Sequence, residues 1–486
     1  MLCLNTSRLV DQYREGVLAI AAGAVLIVAA SASVAEAQYT PNIQGGGASL
    51  PAPTYRQDFN CYGMPLTNPP DPAADTGVPL QCQGAGYPID STKIFRYASV
   101  GSGRGQCMYL THNSSYNNDA SRPITEVNFT GSDAKLSADQ IGKFTTGGTL
   151  GSESSTCAGV VIPAQAPIYG PLIMVPSLAT PIALAISPDT AAVLNILTGA
   201  PVGGTSGLTF SRAGYCKVLT GNVNDWSSTD ADFISQNIDP VSGTPQPFST
   251  TPLPLNVVYR TDGSGTTFLL TQHMTAIQAA CSSSVYAGAA ETMPLAFRNL
   301  PNVVGASGSG GVEEAILGPS NVGRIGYLSP DFTSLATVGS HQAVTANLVN
   351  AAGIVVPATP DATTAGMGTS APPIGTARQN PSNWVPLIAD PSDPAAYPIV
   401  GYTTQEFYTC YQLTSGQDVK ANGVRGYLTW ALSSIDPVPD SVLNDNGFAP
   451  LPGVWKSAIL DTFVTGDANN LQIRVGPVSG VCSRGG

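Results

Sequence analysis

Four times along this chain a strand-like run breaks on glycine and a small hydroxyl residue, then restarts as a helix. The segments are GGGASLP (45–51), VGSGRG (100–105), TGSDAKL (130–136) and RTDGSGTTF (260–268). A chain that keeps alternating strand and helix pairs its strands through crossover helices. The pattern therefore predicts an α/β fold with largely parallel sheets. Each turn also leaves the first N–H groups of a helix without intrahelical acceptors, at the positive end of the helix dipole. That is a ready place for an anion. One such turn is ordinary, because Ser and Thr cap helices widely. Four in one chain, one with an arginine ahead of its glycines, point to a shared oxyanion.

The chain has 486 residues, more than one core usually organises, so two domains are expected. Charged residues are only 11% and the formal net charge is −12. Such a field repels nucleic acid and anionic headgroups, so a bound anion must be held by local donors. At the N-terminus Arg8 and Arg14 precede the apolar run GVLAIAAGAVLIVAASASV, and Ala35–Ala37 reads AEA. This has the form of a signal peptide spanning 1–37, and cleavage after Ala37 would give a periplasmic or secreted protein with no membrane insertion. A retained anchor is the alternative, since the run approaches spanning length. Eight cysteines follow, and an even number in an exported chain reads as disulfides. Cys61 and Cys82 bound a Pro/Gly-rich stretch at 60–92 that reads as a stapled surface excursion. No C-x-x-C pair occurs, and His112, His273 and His341 stand apart, so no metal and no cofactor are expected.

Strand-like segments are IFRYASV (94–100), PLNVVYR (254–260), RIGYLSP (324–330) and YPIVGYTTQEFYTCY (397–411). PLIMVPSLATPIALAIS (171–187) reads as two apolar strand segments broken by Pro176 and Pro181. Ser137 with Gln140 has capping-box spacing for a helix after Asp133. The glycines at 45–47 read as a turn opening into a helix, or as a flexible start of the mature chain. VRGYLTWALSS and GVWKSAILDTFV read as helices. Residues 351–397 are rich in Ala, Pro and Thr; they read as a linker, or as an extended packed loop if Trp384 is buried.

The chemistry of the turns is specific. Arg260 supplies a charged fork suited to a tetrahedral oxyanion. Asp133 would repel any bound anion that has no proton to give it. Phosphate still carries such a proton near neutral pH and sulfate does not, so Asp133 would select phosphate by about 1–3 kcal/mol. Plainer readings stand beside these: Asp133 as a helix cap, Ser102 as a turn residue, and Arg260 in an ion pair with Asp262, which would also orient the guanidinium.

Taken in order, the four turns resemble the ligand segments of the periplasmic phosphate-binding protein of the phosphate ABC transporter. IGYLSPDF, YPIVGYTTQEFYTCY, NGFAPLPGVWK and the late Cys482 resemble the DING subgroup of that family. The likeness runs from about Ile43 to Cys482. It implies a two-lobed periplasmic-binding-protein fold of type II, with the ligand in a cleft between lobes joined by crossover strands. The lobes would be 38–178 with 400–486, and 179–399. It implies a phosphate site made by Ser49, Leu50, Ser102, Asp133, Arg260, Ser264, Gly265 and Thr266, and disulfides Cys216–Cys281 and Cys410–Cys482. Cys61–Cys82 and Cys107–Cys157 are then the remaining sequential pairs. It further implies a monomeric carrier of inorganic phosphate with a phosphate ABC permease as partner. The chain departs from the family in reading Ser-Leu where Thr and an apolar residue are usual, and IQGGG where the DING signature has Asp-Ile-Asn. Two other functions remain open: an extracellular structural or adhesive protein on the same fold, and a phosphate-ester hydrolase. No G-x-S-x-G elbow or Ser/His/Asp arrangement supports the last.

Overall fold

A computed structural model describes residues 42–486 except 67–77, 198–204, 334–341, 369, 415 and 467–468. The expected signal peptide with its cleavage site, and His341, lie outside the described residues. Two main sheets are built from twelve strands, in chain order β1 (Ile43–Gly47), β2 (Phe95–Ser99), β3 (Phe129–Ser132), β4 (Leu172–Pro181), β5 (Ala183–Ile186), β6 (Thr205–Phe210), β7 (Asn256–Arg260), β8 (Val303–Ala306), β9 (Arg324–Leu328), β10 (Val344–Val349), β11 (Val355–Val356) and β12 (Val400–Tyr408). The first sheet orders them β2-β1-β3-β12-β4; the second runs β8-β7-β9-β5-β10-β11, with β6 beside β10.

The sheets are mixed rather than largely parallel. β1 is parallel to β2 and β3, and β7 to β8 and β9. β12 is antiparallel to both β3 and β4, and β5 to both β9 and β10. The cause is connectivity. β4 leads directly into β5 of the second sheet, and β12 brings the chain back, so the outgoing and returning strands lie side by side in opposite directions. They pair from Val400 with Pro181 to Tyr408 with Leu172. Periodicity in a sequence reports a strand but not the direction of its partner. β4 also runs unbroken through Pro176, because the register shifts there and leaves Ser177 bulged, which spares Pro176 a ladder donor it lacks.

Among the strands that run into helices, five bear on the site: β1 into α1 (Ala52–Tyr62), β2 into α2 (Ser102–Thr111), β3 into α3 (Ala138–Thr146), β7 into α4 (Gly265–Ile277) and β8 into α5 (Gly308–Ile316). α3 opens with the Ser137–Gln140 capping box. The glycine run 45–47 is not a turn but the middle strand of three. A Cβ on Gly45 would lie 2.5 Å from the Phe129 carbonyl oxygen, and one on Gly46 2.7 Å from that of Ala98. Side chains are excluded there so that β2 and β3 can flank the strand. Phe59 of α1 stacks on Phe95 at 4.8 Å and meets Tyr427 at 4.9 Å, forming the core beneath it. In the second sheet Phe210, Trp226, Phe233 and Phe248 pack as one aromatic group.

Residues 351–397 are packed rather than a free linker. They hold a helix at Pro360–Met367, and Trp384 is fully buried against Phe463 and Trp455. Disulfides join Cys61 to Cys82, Cys107 to Cys157, Cys216 to Cys281 and Cys410 to Cys482. No helix among the described residues is long and apolar enough to cross a membrane.

Candidate functional site

The starts of α1, α2, α4 and α5 and the turn after β3 meet at the carboxyl ends of the parallel strands, where open α/β sheets place their ligands. The first sheet brings Ser49, Leu50, Ser102 and Asp133. The second brings Arg260, Ser264, Gly265 and Thr266. Every one of these is buried, and no side chain among them is more than 3% exposed. α1, α2 and α5 start without a side-chain cap of their own; the first N–H groups of α5 go to Asp262 and Ser49 instead, and the Gly103 N–H of α2 goes to the Gly263 carbonyl.

The two sides touch. Ser49 Oγ lies 3.1 Å from Ser309 Oγ and accepts from the Ser309 N–H at 3.1 Å. The Gly103 N–H donates to the Gly263 carbonyl at 3.0 Å. Ser329 Oγ donates to the Leu50 carbonyl at 3.1 Å. Gly101, at φ 86°, leaves the space that Asp262 occupies: a Cβ there would lie 2.5 Å from Asp262 Oδ2.

Arg260 is 2% exposed and its guanidinium is held on one edge. Nε donates to Asp262 Oδ1 at 2.7 Å and Nη2 donates to Asp262 Oδ2. Nη1 faces Ser309 Oγ at 3.3 Å and Thr266 Oγ1 at 3.5 Å. Burial pulls the Arg260 pKa down, and Asp262 more than offsets this, so the group stays charged. The ion pair expected between these residues thus aims the fork. Asp262 also accepts from the Gly308 N–H at 3.0 Å, which ties α5 to the same unit.

Asp133 is not a helix cap; Ser137 takes that role. Its N–H donates to Ser102 Oγ at 3.1 Å, and Oδ1 accepts from Thr403 Oγ1 at 3.0 Å. Ser132 and Gln106 fix the turn: Gln106 Nε2 donates to the Ala134 carbonyl at 2.9 Å and to Ser132 Oγ at 3.1 Å. Burial pushes the Asp133 pKa up to about 7, against hydrogen bonds from Thr403 and Ser102 and the charge of Arg260. Ser264 differs from its neighbours. Its N–H is used by the Glu291 carbonyl at 2.9 Å and its Oγ caps the Thr267 N–H at 3.1 Å, so only its hydroxyl proton remains to give.

Ser309 and Thr403 were not legible as site residues. Ser309 had a signal: GASGSGG (305–311) has the glycine-and-serine composition of the other turns. Thr403 had none, because it reaches Asp133 from a strand some 270 residues away in sequence. Among the described residues no group of three His, Cys, Asp or Glu could hold a metal.

Comparison with known proteins agrees with this architecture. The model of the PBP superfamily domain matches residues 83–434. Alkaline phosphatase L from Pseudomonas aeruginosa is 30% identical over 478 residues, covering 92% of this chain and 95% of that protein. A phosphate-binding protein from an unknown prokaryotic organism is 28% identical over 401 residues, covering 78% and 90%. Among solved structures, a phosphate-binding protein from Stenotrophomonas maltophilia superposes with TM-score 0.59 at 25% identity, over 90% of this chain and all of that one. The crystal structure of a DING protein gives TM-score 0.60 at 25% identity, over 92% and 100%.

Proposed function

The chain belongs to the PBP superfamily, and from that premise we propose that it is an exported binding protein for inorganic phosphate, the solute-binding component of uptake or scavenging. One observation carries the reading. A buried arginine, several helix N-termini and a buried carboxyl face one another across a closed seam. The first two hold any oxyanion. The carboxyl admits only an oxyanion that brings a proton. In this scheme Arg260 Nη1, Thr266, Ser309 and the N–H groups of Leu50, Ser102 and Gly265 donate to phosphate oxygens, while Asp133 accepts the phosphate hydroxyl. Ser49 steadies Ser309, and the Ser264 hydroxyl adds a donor.

Residues 38–178 with 400–486 form one lobe and 179–399 the other, and ligand is enclosed when they close. The four disulfides support an exported, periplasmic or secreted protein, and the phosphate-binding relatives support a phosphate carrier; in this reading it acts as a monomer and hands phosphate to a permease. Calorimetric titration with phosphate and with sulfate tests the reading. Phosphate should bind and sulfate should compete weakly; equal binding of both, or of neither, overturns it.

A phosphate-ester hydrolase is the second reading, favoured by the name of the Pseudomonas relative. Hydrolysis needs an activated nucleophile. Among the described residues the Ser102 and Ser309 hydroxyls meet no histidine: His112 is engaged by Tyr408 and His273 by Tyr215 and the Ala389 carbonyl. Release of p-nitrophenol from its phosphate ester, lost in Arg260→Ala, would support hydrolysis at this site.

A further inference from the structure

Beneath the Asp133 turn lies a second buried carboxyl that the binding scheme does not use. Glu406, on β12, is 0% exposed. In the antiparallel pairing of β12 with β3, Glu406 stands opposite Thr130 and Thr404 opposite Ser132. Residues two apart on a strand share a face, so Thr404 and Glu406 point the same way. Thr130 Oγ1 donates to Glu406 Oε2 at 2.9 Å. Thr404 Oγ1 lies 2.8 Å from Glu406 Oε1 and 2.8 Å from the Ser132 carbonyl.

A threonine hydroxyl has one proton. It cannot donate to both oxygens at full strength. A single arrangement satisfies both contacts: Glu406 is protonated on Oε1 and donates to Thr404 Oγ1, which donates to the Ser132 carbonyl. Among the described residues the titratable groups facing Glu406 are Asp133, Tyr97 on β2 and Tyr109 on α2, and no cation acts on it. Burial raises its pKa, against the hydrogen bonds of Thr404 and Thr130, and the nearby Asp133 carboxylate adds to the rise.

We propose that Glu406 holds a proton, in a hydrogen-bond chain that runs through Thr404 to the carbonyl before Asp133, and that this neutral floor is what lets the site accept an anion; ionisation of Glu406 then sets the alkaline limit of binding. The second half rests on the phosphate reading, and the first does not. Two measurements separate them. Infrared difference spectra at pH 6 between parent and Glu406→Gln should show a protonated-carboxyl stretch present only in the parent; its absence overturns the proton assignment whether or not phosphate binds. Phosphate titrations from pH 6 to pH 9 should give equal affinities at pH 6. By pH 9 Glu406→Gln should bind on the order of tenfold tighter than the parent, the size of one unit charge acting at a protein site. A ratio that stays flat overturns the alkaline limit. Phosphate binding by neither protein at any pH overturns the phosphate reading, and the infrared result then stands alone. The amide matches the protonated acid in shape and donates as it does, so a variant that fails to fold also counts against the proposal.

Discussion

Gly265→Ala separates closure from folding. Gly265 is the first residue of α4, and its Cα faces the other side of the seam. A Cβ there would lie 2.5 Å from Asp133 Cβ, 2.5 Å from Ser102 Oγ and 2.7 Å from the Asp133 carbonyl carbon, where ordinary contact begins at 3.4 Å. The two sides must therefore part by nearly 1 Å, and overpacking of this kind costs about 1–3 kcal/mol. If phosphate is bound in the closed form, that cost falls on binding, and Kd should rise by about 5- to 150-fold. The N–H that would serve the ligand is untouched. An open protein feels no clash, and alanine is the better helix residue by up to about 1 kcal/mol. Calorimetry should therefore show weakened phosphate binding, while melting without phosphate shows no loss of stability. An unchanged Kd would refute the contact as a feature of the bound state. A fall of several degrees in the ligand-free melting temperature would refute the separation, because the seam would then be shut at all times.

Arg260→Ala should weaken phosphate and sulfate alike, by at least tenfold in competition titrations, because charge-assisted donors carry about 1.5–3 kcal/mol and no preference of their own. Asp133→Asn should instead reduce the phosphate-to-sulfate preference by about 5- to 150-fold, the 1–3 kcal/mol of an unmet acceptor, with a smaller change in phosphate affinity. The preference in the parent should also fall as pH drops below about 7, where Asp133 takes up a proton and becomes a donor that sulfate can use.

Local chemistry made the turns legible. Glycines and hydroxyls at the ends of strand-like runs mark helix starts wherever the rest of the chain lies, and Ser102, Asp133, Arg260 and Gly265 could be picked from such windows. The Ser137–Gln140 capping box is equally local. What was hidden depends on distant partners. The glycines at 45–47 form a strand because Phe129 and Ala98 crowd them, and neither is near in sequence. β4 survives Pro176 because β12 shifts register beside it. Thr403 and Glu406 lie in TTQEF, which reads as an ordinary strand until β3 is set next to it.

The same pairing of β3 with β12 explains how a protein of net charge −12 can build a site for an anion around acids. Three of the carboxyls at or under the seam are each handled differently. Asp262 is ionised and bound to Arg260, so it adds no net charge while fixing the direction of the guanidinium. Asp133 takes its hydrogen bonds from neutral donors, Thr403 and Ser102, with Arg260 acting on it through its charge, and it stays free to exchange a proton with the ligand. Glu406 faces two threonine hydroxyls and no cation. Removing the Asp262 carboxylate would therefore do more than break an ion pair. It would release the arginine from its aim and leave α5 without the acceptor for its Gly308 N–H. The local field would become more positive, yet oxyanion binding would weaken, because a fork that is not held in place loses the geometry that makes it effective.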